Sequence, residues 1–405
     1  MVLSSEGGDN ERNNFASFPS LTKEIIYTKK KRVTKTLTSP SLHALPLPLP
    51  FLPFELIEEI LSRLPVKLLL QLRCACKSWS SLISNPKFAK KHLSMSTRHV
   101  LHCISSSGGD ILKSYPLDSI YTNATTTAIP QLEYSVHRCS NYFIGSCNGI
   151  LCLAAEGYHT NLVTFRLWNP FIRKFKELPP LGDQQTSAYI IKMYGFGYDP
   201  VSDNYKVVTV LRVFDYSSHI LVKSDEVKVY TLGINSWKSI SVFPYSVFPV
   251  QQLSGKCVSG TINWLASKDS KQSKYFILSL DLMNESYQEV SLPNYGKVDA
   301  CNFHLSVLRD CLIMFSGDVV WVMKEYGNKE SWTKLFTISY NRDPHTIPYS
   351  CMKAIYVFED GQVLLNIGGC RGKYIFYNCR NNTSKYAEFE PNPEVCVESL
   401  ISLFS

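Results

Sequence analysis

The stretch Leu52-Pro-Phe-Glu-Leu-Ile-Glu-Glu-Ile-Leu-Ser-Arg-Leu-Pro65 is the most legible part of the 405-residue chain. Pro53 suits a first helical turn, because its missing N–H would be unpaired there in any case. Glu55, Glu58 and Glu59 lie near the positive end of the helix dipole. Leu56, Ile57, Ile60, Leu61 and Leu64 follow the i, i+1, i+4, i+5, i+8 spacing of an apolar face, and Pro65 stops the helix. Leu68, Leu69, Leu70 and Leu72 predict a second short helix. Trp79, Leu82 and Ile83 predict a third, ending before Asn85-Pro86. About 40 residues make a small independent core. With leucine on more than one face, such a unit is expected to have a partner.

Upstream, residues 1–44 read as a disordered basic tail. Lys29-Lys30-Lys31-Arg32 fits a nuclear import signal or a solvated basic run, so cytoplasm and nucleus both stay open. Met1 to Ser20 shows no apolar leader core, which predicts a reducing compartment and cysteines buried as small hydrophobes. The net charge of +8 is local: residues 1–98 hold fifteen Lys/Arg against seven Asp/Glu, and residues 99–405 hold twenty-seven of each. Arg63, Lys67, Arg73, Lys77, Lys87, Lys90, Lys91 and Arg98 form one run without an acid. A nucleic-acid surface and a docking surface for an acidic protein both fit that run.

Downstream of residue 98 the texture changes to short apolar runs separated by Gly, Asn, Asp and Pro. Tyr205-Lys-Val-Val-Thr-Val-Leu211, Tyr275-Phe-Ile-Leu-Ser-Leu280 and Val319-Val-Trp-Val322 are examples, and no amphipathic helical window of similar strength interrupts them. A degenerate unit recurs: a strand, a turn, an aromatic strand, then a Leu-Pro or similar stop. It runs from Leu167-Trp-Asn-Pro170 to Glu177-Leu-Pro179, and from Val229-Tyr-Thr-Leu232 to Trp237-Lys-Ser-Ile240. It returns near Leu280-Asp-Leu282, Trp321-Val-Met323 and Phe376-Tyr377. The period, roughly 45 to 65 residues, is close to that of kelch-type propeller blades.

Two resemblances follow from these residues. Leu52 to Pro65, with Leu72-Arg-Cys-Ala-Cys-Lys-Ser-Trp79, Leu82-Ile83 and Asn85-Pro-Lys-Phe88, closely resembles an F-box. Ala75 stands where that family commonly has valine. Residues 145–403 resemble the F-box-associated domain of plant F-box and F-box/kelch-repeat proteins. The matching pieces are Gly145-Ser-Cys-Asn-Gly-Ile-Leu-Cys152, Leu167-Trp-Asn-Pro170, Tyr194-Gly-Phe-Gly-Tyr-Asp-Pro200, Asp203-Asn-Tyr-Lys-Val-Val208 and Val397-Glu-Ser-Leu-Ile-Ser402.

The resemblance implies a small all-α F-box of three short helices at 45–98, then an all-β propeller-like domain at 99–405. It implies the substrate receptor of an SCF-type ubiquitin ligase, which binds a Skp-family adaptor and through it a cullin. Leu52, Pro53, Leu56, Ile57, Ile60, Leu61, Leu64, Leu68, Leu72, Cys76 and Trp79 match the motif and take the adaptor-contacting or core role. Sequence alone does not divide the two.

No metalloprotease, nucleophile-elbow or phosphate-loop motif is present, so no catalytic residue, cofactor or metal is expected. No apolar run is long enough for a membrane helix. A nucleic-acid partner is disfavoured by the neutral β region, and a propeller scaffold acting outside a ligase is the alternative. Substrate-binding residues are not identified; Gly182-Asp-Gln-Gln-Thr186, Tyr216-Ser-Ser-His219 and Ser267-Lys-Asp-Ser-Lys271 are candidate loops. An open ring would leave bare strand edges. Val395 to Leu403, read as one nine-residue strand, is therefore expected to join Val100–Ile104 and Ile111–Tyr115 in a shared blade, about six blades in all.

Overall fold

The computed structural model describes residues 52–106, 109–117, 132–134, 139–157, 163–181, 187–215, 220–240, 248–249, 253–268, 275–295, 303–338, 353–358, 361–366, 373–388 and 394–404. Four short helices come first: α1 (Phe54–Leu61), α2 (Val66–Leu72), α3 (Lys77–Ile83) and α4 (Pro86–Leu93). Three had been expected. Asn85-Pro86, read as the end of the helical unit, also starts α4. The Asn85 side chain accepts from the Lys87 amide at 2.8 Å, and Pro86 fills the first helical position.

Six antiparallel sheets follow. Blade 1 contains β1 (Arg98–Ser106), β2 (Gly109–Pro116) and β3 (Leu132–Tyr134); blade 2 contains β4 (Cys139–Cys147), β5 (Ile150–Gly157), β6 (Val163–Asn169) and β7 (Lys174–Glu177). Blade 3 is built from β8 (Ser187–Asp199), β9 (Asn204–Asp215), β10 (Ile220–Thr231) and β11 (Ser236–Ile240). In blade 4, β12 (Phe248–Pro249) and β13 (Lys256–Val258) share one edge of β14 (Thr261–Ser267), which continues to β15 (Tyr275–Asp281) and β16 (Tyr287–Val290). Blade 5 has β17 (Phe303–Leu308), β18 (Cys311–Ser316), β19 (Val319–Met323) and β20 (Trp332–Thr337). Blade 6 has β21 (Lys353–Val357), β22 (Gln362–Asn366), β23 (Lys373–Asn378) and β24 (Thr383–Glu388).

One more strand, β25 (Glu394–Val397), pairs with β1 and completes blade 1 from the inside, in the order β25-β1-β2-β3. The innermost strands then meet around a full circle: β25 with β4, β4 with β8, β8 with β13, β13 with β17, β17 with β21, and β21 with β25. The ring is a closed six-bladed propeller. The expected shared blade is there, but its closing strand is four residues long rather than nine. Residues 398–404 leave the sheet because their backbone groups bind elsewhere.

Adjacent residues on these strands face opposite neighbours. In blade 5, Leu312 and Met314 pack on blade 4 while Ile313 and Phe315 pack on blade 6. Val207 and Leu211 face blade 2, and Val208 and Val210 face blade 4. Val100 faces blade 6 and Leu101 faces blade 2. A strand between two blades has no solvent face, so its sequence is a continuous apolar run rather than an alternation.

The turns explain the degenerate repeat. The hairpins between the last two strands of blades 2, 3, 4 and 6 share a five-residue form whose fifth residue is left-handed: Arg173, Asn235, Glu285 and Asn382, with φ of 55°, 56°, 52° and 55°. In three of them a side-chain oxygen at the first position holds the turn: Asn169 accepts from the Phe171 amide at 3.0 Å, Asp281 from Met283 at 2.8 Å, and Asn378 from Arg380 at 2.9 Å. The aromatic and the Leu-Pro stop also cooperate between blades. The indole of Trp237 donates to the Pro179 carbonyl of blade 2 at 2.7 Å, and that of Trp332 to the Ser291 carbonyl of blade 4 at 2.9 Å.

Candidate partner-binding surface

Each helix of the N-terminal unit starts at a residue whose backbone is extended rather than helical: Pro53, Pro65, Cys76 and Asn85, with ψ of 142°, 146°, 163° and 128°. Together they wrap a core of Leu61, Leu69, Ile83 and Phe88, with Ile57, Leu64, Leu72, Trp79 and Leu82 packed against it. His92 is buried, its Nε2 2.8 Å from the Leu64 carbonyl and its Nδ1 3.0 Å from the Ser96 hydroxyl. Burial lowers its pKa, so the ring works as a neutral bridge from α4 to the end of α1. Glu58 and Glu59 both receive Lys91, at 3.0 and 3.4 Å, and Glu59 also takes Arg63 at 2.7 Å. Hydrogen bonds from Arg63 and Lys91 hold the Glu59 carboxyl below its usual range.

The structure divides the eleven predicted site residues. Leu61 is core, and Ile57, Leu64, Leu72 and Trp79 lean on it. Leu52, Leu56, Ile60 and Leu68 are 55%, 50%, 51% and 45% exposed, and Pro53 and Cys76 are exposed too. Phe54, absent from the sequence reading, is 49% exposed and joins the outer set. Its signal was available, since it lies two positions from both Leu52 and Leu56. Five of the fourteen large exposed apolar side chains among the described residues thus fall within 52–68. That concentration is what an unfilled interface looks like. The expectation of buried thiols fails for Cys74 and Cys76, which sit between α2 and α3 in solvent.

Charge follows the same division. Arg63, Lys90 and Lys91 are paired within the molecule, while Lys67, Arg73, Lys77 and Lys87 stay exposed. These four cations remain to face an outside partner.

The segment after β25 seats the helical unit on the propeller. Glu398 accepts from the Val66 amide at 2.9 Å, at the start of α2, and its own amide donates to the Thr97 carbonyl at 2.9 Å. Leu400 packs into the helical core. Asn169 grips the segment from below, its side-chain amide donating to the carbonyls of Ser399 at 3.0 Å and Ile401 at 2.9 Å. Gly149 makes room for it: at φ +80° in the tight Asn148-Gly149 hairpin, an added Cβ would lie 2.1 Å from the Ser399 Cβ. A second contact joins Lys90 Nζ to both Asp203 oxygens, at 2.9 and 3.0 Å, with the Tyr198 hydroxyl donating to the same carboxylate. The Tyr198 and Lys90 bonds keep Asp203 well ionised. The helices therefore cover the propeller face formed by the hairpins at 147–150 and 199–204, and their exposed leucines are left for something else.

Of the candidate loops, 182–186 and 216–219 lie outside the described residues. So do residues 269–271 of the third, whose described part places Ser267 and Lys268 at the end of β14. The Lys29–Arg32 cluster also falls outside.

Residues 49–91 match the family described as the F-box domain, and residues 113–403 match the F-box associated beta propeller domain. An F-box/kelch-repeat protein of Arabidopsis thaliana is 33% identical over 349 residues, covering 83% of this chain and 90% of the relative. The F-box protein CPR1 of the same species is 30% identical over 347 residues, covering 79% of this chain and 80% of the relative. Another Arabidopsis thaliana F-box protein is 28% identical over 314 residues, covering 71% and 72%.

Proposed function

Because the chain belongs to the F-box proteins that carry an F-box-associated propeller, we propose that it is the substrate receptor of an SCF-type ubiquitin ligase. The observation that carries this reading is the row of exposed apolar side chains at Leu52, Phe54, Leu56, Ile60 and Leu68. In the proposal these residues, with Pro53, anchor a Skp-family adaptor, and Lys67, Arg73, Lys77 and Lys87 steer that acidic partner into place. The adaptor connects the chain to a cullin. The propeller captures a protein substrate on the face away from the F-box and contributes position rather than catalysis.

Rigidity suits that role. Glu398, Leu400 and Lys90 fix the helices to the ring, so a substrate on the propeller is held at a set distance from whatever the adaptor brings. Tagged full-length protein should pull down a Skp-family adaptor with a cullin co-eluting. Adaptor capture without any cullin would favour a scaffold outside a ligase, and no adaptor capture would remove the proposal.

A further inference from the structure

β7 is the outermost strand of blade 2, paired with β6 on one side only. Its ladder to β6 fixes which backbone groups point outward. The Leu178 amide donates to the Phe165 carbonyl at 2.9 Å, so by alternation Lys176 and Lys174 also bond inward. Phe175 and Glu177 therefore turn their N–H and C=O groups away from the sheet, where an added strand would pair.

The side chains along this edge sort by face. Lys174 and Lys176 stand opposite Asn169 and Leu167, on the side toward blade 3, where Leu167 packs with Phe196 and Val207. Phe175 stands opposite Trp168, on the side toward blade 1, where Trp168 packs with Leu101. One face is basic and the other aromatic. Among the described residues no acid pairs with Arg173, Lys174 or Lys176, and Glu177 is taken by Arg166 at 2.6 Å. The outer strands of blades 3 and 4 match their charges instead: Lys238 of β11 meets Glu285 at 2.7 Å, and Glu289 of β16 meets Lys268 at 2.6 Å. Lysine on an edge strand serves in many proteins to prevent edge-to-edge pairing. That role needs no exposed aromatic. Yet Phe175 is 51% exposed, and so is Phe404, over whose ring the Lys174 ammonium lies at 5.7 Å.

The edge is also continuous with the F-box surface. Exposed Lys67 and Leu68 follow Val66 on α2, and the Val66 amide is bonded to Glu398. The next residue, Ser399, is gripped by Asn169, which stands opposite Lys174 in the sheet. We propose that the adaptor follows this path, and that an extended acidic segment of it adds a strand to β7. The segment would alternate acidic and apolar residues, its acids facing Lys174 and Lys176 and its apolar side chains facing Phe175. A second copy fits less well, because β7 against β7 centred on Phe175 sets Lys174 opposite Lys176. The inference rests on the receptor reading above.

The test titrates a purified Skp-family adaptor into the full-length protein by calorimetry. Lys174→Glu with Lys176→Glu should weaken binding about tenfold at low salt, and the gap should narrow as salt rises. Phe175→Pro removes an outward N–H without touching the ladder to β6, and should weaken binding at every salt concentration. Leu56→Ala with Ile60→Ala should weaken it further. Equal melting temperatures show that each variant folds. Where the charge reversal does not, Lys174→Gln with Lys176→Gln replaces it and should act in the same direction. Unchanged affinity in the folded β7 variants, with binding still lost on Leu56→Ala and Ile60→Ala, would overturn this docking and leave the receptor reading standing. The edge would then belong to a substrate or a second copy. No adaptor binding by the wild type would overturn both.

Discussion

In α1 of the F-box, Ile57 and Leu61 turn inward while Leu56 and Ile60 stay in solvent; in β18 of the propeller, Leu312 to Ser316 are all buried. Both segments are comparably apolar, and the difference lies in what covers them. A blade strand is covered on each face by the next blade of the same chain. The F-box helix is covered on one side by α2 to α4 together with Leu400, and its other side stays in solvent. The contrast teaches that apolar density reports the need for cover, whereas its source is decided by topology.

The sharpest way to break the comparison is to remove the propeller's own cover. Deleting residues 395–405 takes away most of β25, and with it the inner strand of blade 1, the Glu398 and Asn169 bonds, and the Leu403 packing. The expected result is loss of the cooperative monomer, seen as aggregation on size exclusion and early melting. A monomer with unchanged Tm would mean that the ring does not depend on this strand.

Next in size, Trp264→Ala removes a fully buried indole that also donates to the Tyr194 carbonyl at 2.8 Å. The cost should be about 3–5 kcal/mol in denaturant unfolding. Adaptor affinity, measured below the melting range, should not change. Leu56→Ala with Ile60→Ala should do the reverse, weakening adaptor binding by ~1 kcal/mol or more per residue while Tm holds. If the pair instead lowers Tm and spares affinity, these leucines are core and the comparison fails at its centre.

The smallest effect concerns the joint between the regions. Burial lifts the Glu398 carboxyl above its ordinary value of 4.5, the Val66 amide opposing. The folded state thus binds the proton more tightly than the unfolded one. Stability linked to Glu398 is present below that ordinary value and is lost as pH rises through the folded pKa. Glu398→Gln keeps an acceptor for Val66 without a charge. Its Tm relative to wild type should rise between pH 4.5 and 7.5, by about 1–3 °C. A relative fall over that interval would show that the joint needs the carboxylate charge.

Much of this was legible beforehand. Proline, asparagine and leucine spacing in 52–86 located the helices, and the repeated turn residues located the blades. Closure was legible by elimination, since a ring needs its edge covered. Other features were not. Glu398 and Asp203 look like surface acids until the ring brings Val66 and Lys90 beside them. Residues 398–403 look like a strand because Leu400, Ile401 and Leu403 carry on from Val395-Cys-Val397, yet the carbonyls of Ser399 and Ile401 are claimed by Asn169 and the leucine side chains by two different cores. The close packing of Cys257 on β8 depends on a missing side chain at Gly197, which no local pattern announces.

The seat made by Glu398 has a consequence for biosynthesis. Val66 and Glu398 are 332 positions apart, and β25 is made long after the strand it pairs with. While the chain emerges from the ribosome, the F-box exists before the residues that fasten it, and five blades exist before the ring can shut. Until translation reaches β25, the nascent protein carries an unfastened helical unit at one end and an unpaired strand edge at the other, surfaces of the kind that make a folding chain prone to aggregate. A ribosome that stalls or terminates early in this message releases a product with the helical unit unfastened and the strand edge bare, so completion of the ring doubles as a check that the chain was translated through residue 400.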